Sequence, residues 1–285
     1  MIFRTEHPIP KYPFTIGYED HLFFIGSCFS DHIGIFFKNY RFETLSNPFG
    51  TMFNPISISQ NLKYSLTQEE LPEEYLYHHD NHYISFLHQG KHTHCEKDKF
   101  IELIQKIYKK THQFLQTTDY LFITLGTAYA YRFIEKQIVV ANCHKLPNFK
   151  FEKIRFSVDQ IVVEYKELIT LIQKVNPNLK VIFTVSPVRH LSDGFHENQV
   201  SKSILHLAID HLVDDQQVFY FPSYELLIDD LRDYRFYAKD LCHPGENGIS
   251  YIEEFIMKTF FTDETINKCK TVNKDIKREN HKSFK

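Results

Sequence analysis

Residues 21–28 read HLFFIGSC, a short apolar run that reaches Gly26 and then a serine and a cysteine. A run this short and this apolar, closed by a glycine, reads as a strand buried on both faces. Residues 31–40 follow as a helix and 41–45 as a second strand, and the pattern then recurs. YLFITL (120–125) stops at Gly126, LKVIFTV (179–185) stops at Ser186-Pro187, and residues 217–221 stop at Pro222. Helical spacing fills the intervals at 55–65, 98–116, 157–174, 197–212 and 245–260. Ser157 stands as an N-cap and Asn176-Pro177-Asn178 as a stop. Strands apolar on both faces, alternating with helices, predict an α/β fold with a parallel sheet covered on both sides. Function in such sheets gathers at the carboxyl ends of the strands.

The 285 residues are 42% hydrophobic, enough for one core, and 24% charged. We read one domain over 1–262, with an insertion at about 68–97 that holds a strand at 83–87, and a hairpin over 131–140. Trp is absent while Phe and Tyr number 27 and 17, so the core must be aromatic, with tyrosine hydroxyls reaching polar partners. Residues 263–285 carry seven Lys/Arg and four Asp/Glu and read as a solvated basic tail. The net charge of −3 argues against a nucleic-acid partner. No apolar run reaches the ~18 residues of a membrane span. The opening MIFRTEHPIPKYPF sets Glu6 and three prolines where a signal peptide needs apolar chain, which predicts a cytoplasmic protein. Cys28, Cys95, Cys143, Cys242 and Cys269 are widely spaced and form no CxxC pair, so neither a zinc ribbon nor a disulfide scaffold is expected.

Ser27 leaves the first strand just ahead of a helix, whose free N–H groups suit a developing oxyanion. A serine needs a base to attack. Asp240-Leu241-Cys242-His243 offers one in the loop before the last helix: His243 takes the proton and Asp240 orients it. Cys28 is a rival nucleophile, read as turned into the helix–sheet packing. Arg189 and His190 follow the strand that ends at Ser186-Pro187 and stand near a substrate, Arg189 as an anion holder or as half of a loop ion pair. Asn142-Cys143-His144-Lys145 reads by spacing as a structural loop. Six histidines lie between His78 and His94, without a recognised ligand spacing, and no metal is assigned to them. The charged run from Asp229 to Arg235 reads either as a clamp on the segment leading to Asp240 or as a solvated helix face.

Five segments carry a family resemblance: IGSCFSDHIG (25–34), LGTAYAY (125–131), VVANCHKLP (139–147), TVSPVRHLSDGFHENQVSKSIL (184–205) and YFPSYELLIDDLRDYRFYAKDLCHP (220–244). They resemble the signatures of the GSCFA family, within the SGNH (GDSL-like) hydrolases, whose naming motif here reads Gly26-Ser27-Cys28-Phe29-Ser30. The resemblance implies a flavodoxin-like, three-layer α/β/α sandwich and chemistry on ester bonds without a cofactor. It carries the catalytic serine to Ser27 and the acid–base pair to Asp240 and His243. An oxyanion hole would come from the N–H groups of Ser27 and Gly50. The asparagine of the third SGNH block is missing at Gly126-Thr127-Ala128-Tyr129, where Thr127 stands in or Asn142 reaches across. The resemblance also brings Asn142 and His144 to the substrate pocket. The expected substrate is a small acyl ester, such as an O-acyl group on a carbohydrate or cell-envelope precursor. An O-acyltransferase with the same triad and a non-catalytic ligand-binding protein are the alternatives.

Overall fold

The apolar runs become strands and the spaced ones helices in the computed structural model, which describes residues 4–282. The chain opens with β1 (His21–Gly26), α1 (Cys28–Asn39), β2 (Glu43–Ser46) and α2 (Pro55–Thr67). The insertion contributes β3 (Leu76–His79) and β4 (His82–Ser85), and α3 (Lys97–Leu115) and β5 (Tyr120–Leu125) follow. Then come β6 (Tyr129–Phe133), β7 (Ile138–Val140), β8 (Phe151–Arg155) and α4 (Val158–Val175). The chain continues through β9 (Lys180–Val185), α5 (Phe195–Asp210) and β10 (Val218–Tyr220). A short α6 (Ser223–Glu225) widens into a π-helical stretch over Leu226–Leu231, and α7 (Glu246–Phe260) and α8 (Asp263–Lys282) close it.

Five strands form one parallel sheet in the order β2-β1-β5-β9-β10. Counted within that sheet the order is 2-1-3-4-5, the flavodoxin-like winding, and its direction reverses between β1 and β5. Alternate side chains divide the core in two, as a period of two requires. Phe23, Ile25, Leu121, Ile123, Val181 and Phe183 face α2, α3, α4 and α5. Leu22, Phe24, Phe122, Ile182 and Phe219 face α1 and α7. This second half is built on rings: Phe24 stacks on Phe122 with centroids 4.9 Å apart, and Phe37 meets Phe42 edge-on at 5.2 Å. The buried tyrosines find their partners. Tyr108 donates to Asn61 Oδ1 at 3.1 Å, Tyr165 to the Pro55 carbonyl at 3.0 Å and Tyr120 to the Thr15 carbonyl at 3.0 Å. Such bonds let a phenol enter a core without an orphaned hydroxyl.

The structure departs from the sequence reading in four places. Helix α1 starts at Cys28 rather than near Asp31, because Ser27 caps it. The insertion is a hairpin, β3 with β4, joined to a second small sheet, β7-β6-β8, through Tyr75, Phe86, Phe133 and Phe151. Strand β8 escaped the pattern because Glu152, Lys153 and Arg155 of FEKIR dilute its apolar period. The basic tail is a helix from Asp263 to Lys282, and its first half is docked. Cys269 is fully buried and accepts from the Tyr18 hydroxyl at 3.3 Å, while Ile266 and Val272 face the same way. Three apolar residues at a spacing of three were hidden in a charged composition. Residues 283–285 of that tail lie outside the described residues. Among the described residues no helix is long and apolar enough to cross a membrane.

Gly26 ends β1 with φ +130°, and a Cβ there would lie 2.1 Å from the Thr124 carbonyl oxygen of β5. That close approach lets the chain leave the sheet between β1 and β5. Gly26→Ala is therefore expected to cost about 2–3 kcal/mol through combined strain and clash. An unchanged urea midpoint would show that the β1–β5 contact is not tight.

Candidate active site

The turn from β1 into α1 lies at the strand-order reversal, and its peptide groups can be accounted for one by one. Asn47, after β2, accepts the Gly26 N–H at 2.8 Å and donates to Asp31 Oδ1 at 2.8 Å. The Ser27 N–H donates to the Thr124 carbonyl at 3.2 Å. The Phe29 N–H donates to Ser27 Oγ at 3.3 Å, and the Ser30 N–H to the Ser27 carbonyl at 2.9 Å. A helix start leaves its first N–H groups without intrahelical partners. Here the Cys28 N–H has no oxygen partner among the described residues and acts on its own thiol. The side-chain directions reverse those read from the sequence: Ser27 is 0% exposed and Cys28 is partly exposed. The cap pulls the serine hydroxyl back over the helix end and leaves the first helical residue at the surface. Burial, then Asp31, raise the Cys28 thiol pKa, while the N–H groups of Cys28 and Phe29 and the charge of Lys202 oppose the rise.

Lys202 is the residue the sequence reading missed. It sits on α5 and is 1% exposed, and its ammonium donates to the Gly126 carbonyl at 2.7 Å and the Ser186 carbonyl at 2.6 Å. Those carbonyls follow the ends of β5 and β9, so one cation ties two strand ends together. Burial lowers its pKa to about 7. The signal was present in the period of α5, where Asn198, Ser201, Lys202, Leu205, Ala208 and Ile209 form the buried stripe. A lysine on such a stripe asks for a partner.

Asp240 and His243 meet as expected. His243 Nδ1 lies 2.6 Å from Asp240 Oδ2, and Asp240 Oδ1 accepts the N–H groups of Cys242 and His243, both at 3.0 Å. Those two N–H groups, then the imidazole, hold the Asp240 carboxyl down at about 2. The loop itself is clamped. Ala238 donates to the His243 carbonyl at 2.8 Å, and Arg189 reaches the Cys242 and Leu241 carbonyls, both at 3.1 Å. The Arg189 guanidinium also lies over Phe195, Tyr234 and Tyr237 at 5.4–5.7 Å. Arg189 thus positions the loop that carries His243. His190 lies between the parts of the site: both Lys202 and His243 bear on its charge, and burial lowers its pKa to about 4. Its ring meets Phe53 edge-on at 5.8 Å, beside a cavity of 160 Å³ walled also by Asn54, Thr127, Tyr129 and Tyr131. Among the described residues no hydrogen bond joins His243 to Ser27 or Cys28.

The remaining expected residues are engaged elsewhere. The Gly50 N–H donates to the Asn47 carbonyl at 2.9 Å, and the Thr127 hydroxyl pairs with Ser201 Oγ at 2.9 Å. With Ser27 donating to Thr124, each expected oxyanion donor already has an internal partner. Asn142 accepts the His144 N–H at 2.7 Å, and His144 Nε2 bonds the Ser85 carbonyl at 2.8 Å, so both tie the β7 loop to the insertion. In the charged run, Asp230 is 5% exposed and accepts the His7 N–H and the Tyr251 hydroxyl. It anchors the N-terminal arm and α7 rather than the Asp240 loop. Of the histidine-rich stretch, His88 is fully buried, and burial lowers its pKa to about 3. Among the described residues only His94, Cys95 and Glu96 bring three ligand atoms within 4.8 Å of one another; they are consecutive and mostly exposed.

Two pH responses follow from these buried groups. His88 and His190 have folded pKa values below the ordinary 6.5, so the unfolded chain binds more protons in that interval. Stability should be fully present above pH 6.5 and fall toward pH 4, as read by urea midpoints. Lys202 works in a higher window, its folded value of about 7 lying below the ordinary 10.5. Its contribution should raise stability as pH climbs from 7 toward 9. Lys202→Met should flatten that rise; an identical slope in the variant would mean the lysine stays charged throughout.

Comparison with known proteins places the chain in a family. No curated protein matches the chain. Among solved structures, a carbohydrate esterase family 3 protein from Talaromyces cellulolyticus aligns over 88% of this chain and 99% of its own, at 9% identity and a TM-score of 0.40. An acetyl esterase mutant with acetate ion aligns over 89% and 99%, at 9% identity and 0.40. An acetyl xylan esterase from the rumen bacterium Butyrivibrio proteoclasticus aligns over 88% of this chain and 66% of its own, at 13% identity and 0.41. The sequence profile of the GSCFA family matches residues 21–257, and the chain belongs to the GSCFA family.

Proposed function

We propose that the protein is an ester hydrolase of SGNH type, working through an acyl-enzyme formed at the turn from β1 to α1. The observation that carries this reading is the Asp240–His243 pair. Its carboxylate is fixed by two backbone N–H groups, and its imidazole is fixed through Nδ1 at 2.6 Å. That arrangement leaves Nε2 of His243 to accept a proton, with Asp240 stabilising the imidazolium that results. A structural role asks for less, because both side chains are about half exposed and no core depends on them.

The cycle has two halves. A nucleophile at the Ser27–Cys28 turn attacks the ester carbonyl carbon while His243 takes its proton. The carbonyl oxygen becomes an oxyanion, for which the Cys28 N–H, bonded to no oxygen at the positive end of α1, is a donor. The ester C–O bond then breaks, and the alcohol leaves with the proton from His243. Water next attacks the acyl-enzyme, giving up a proton to His243, and the acid departs as the nucleophile is restored. The chemistry requires no cofactor. The cavity beside His190 is small and mixes Tyr129 and Tyr131 with Asn54, Lys153 and Asp193. That lining suits a short acyl group on a hydroxylated carrier, such as a carbohydrate.

The test is hydrolysis of p-nitrophenyl acetate. His243→Ala should lower kcat/KM by about 10²–10⁴, with Asp240→Asn following in the same direction. Wild-type turnover no faster than that of His243→Ala would end the hydrolase reading.

A further inference from the structure

We infer that the nucleophile of this site is the thiol of Cys28 and that Ser27 serves as its helix cap. The inference rests on the ester-hydrolase reading above and goes one residue further. Three independent features of the turn support it.

The first is the state of Ser27. It has no exposed surface, and each of its polar groups is used inside the fold. Its Oγ accepts the Phe29 N–H, its N–H donates to Thr124, and its carbonyl accepts the Ser30 N–H. To attack a carbonyl carbon, this oxygen would have to leave the cap and reach the surface. Cys28 meets neither obstacle. It is the first residue of α1, and its side chain is partly exposed.

The second feature is the N–H of Cys28 itself, which no oxygen among the described residues accepts. A nucleophile and an oxyanion donor on one residue place the attacked carbon and its oxygen side by side. The third is Lys202. It is 1% exposed, it holds the ends of β5 and β9, and its charge and that of Cys28 act on each other. A buried cation there favours negative charge developing at Cys28. Burial and Asp31 act against that charge, so the resting thiol keeps its proton. The attack therefore needs a base, which the His243–Asp240 pair supplies.

The step balances as follows. Cys28 Sγ bonds to the carbonyl carbon, its proton passes to His243, and the ester C–O bond breaks as the alcohol takes that proton. The product is a thioester on Cys28. Water then hydrolyses the thioester to the acid and restores the thiol.

The experiment uses the full chain with p-nitrophenyl acetate. Turnover is measured for wild type, Cys28→Ala, Cys28→Ser and Ser27→Gly, with circular dichroism confirming the fold of each. Acid-quenched protein is mapped by mass spectrometry before and after neutral hydroxylamine, which cleaves thioesters and spares oxygen esters. We expect His243-dependent acetylation of Cys28 that hydroxylamine removes. Cys28→Ala should lose at least 100-fold in turnover, while Ser27→Gly stays within tenfold of wild type. Any acetyl on Cys28→Ser should resist hydroxylamine. Turnover that survives Cys28→Ala and is lost in Ser27→Gly would overturn the inference and leave the hydrolase reading standing. Wild-type turnover that does not depend on His243 would overturn the hydrolase reading, and the inference with it.

Discussion

Five parallel strands end at one edge of the sheet, and the peptide groups left there must find partners. At the ends of β5 and β9 the partner is Lys202, whose ammonium holds the Gly126 and Ser186 carbonyls. At the end of β1 it is Asn47, which takes the Gly26 N–H. A buried polar group without a partner costs roughly 1–3 kcal/mol, so this edge is where polar side chains enter an otherwise apolar molecule. The same requirement that closes the sheet gathers the charge, the hydroxyls and the imidazoles of the candidate site. Loss of the Lys202 contacts would free two strand ends at once.

The two halves of the site are held to different depths. The β1–α1 turn is closely packed, with Gly26 against the Thr124 carbonyl and Ser27 bonded as a cap. The loop from Tyr237 to Pro244 is nearer the surface and is held by Arg189 and by its own backbone bonds. With the proposed base on the more exposed element and the proposed nucleophile on the more tightly bonded one, small loop movements would change reactivity without disturbing the core. Burial and Asp31 raise the Cys28 thiol pKa, so under the proposed chemistry its reactivity would depend on where that loop holds His243.

The aromatic composition has a structural counterpart of its own. The face of the sheet under α1 and α7 is filled with stacked and edge-on phenylalanines. On the opposite face the fully buried Tyr108 and Tyr165 give their hydroxyls to Asn61 and the Pro55 carbonyl. The docked half of α8 extends the phenylalanine side through Cys269 and Val272, so the basic composition of 263–285 concealed a helix with one apolar edge.

The sequence by itself determined a parallel sheet covered by helices and the pairing of Asp240 with His243, while the flavodoxin-like winding came only from the family resemblance. The first two are written in short-range patterns: apolar runs closed by glycine or proline, and a spacing of three within one loop. Tertiary structure decided what distance along the chain conceals. Lys202 lies 174 positions from Cys28 and looks from its neighbours like one more helical lysine. Thr127 carries a hydroxyl of the right kind, yet it is engaged by Ser201, 74 positions away on α5, while Gly50 and Asn142 are tied up by near neighbours in their own turns, Asn47 and His144. The choice between Ser27 and Cys28 turned on where α1 begins. One residue of shift rotates a helical side chain by about 100°, and here that rotation separates a buried cap from a partly exposed thiol.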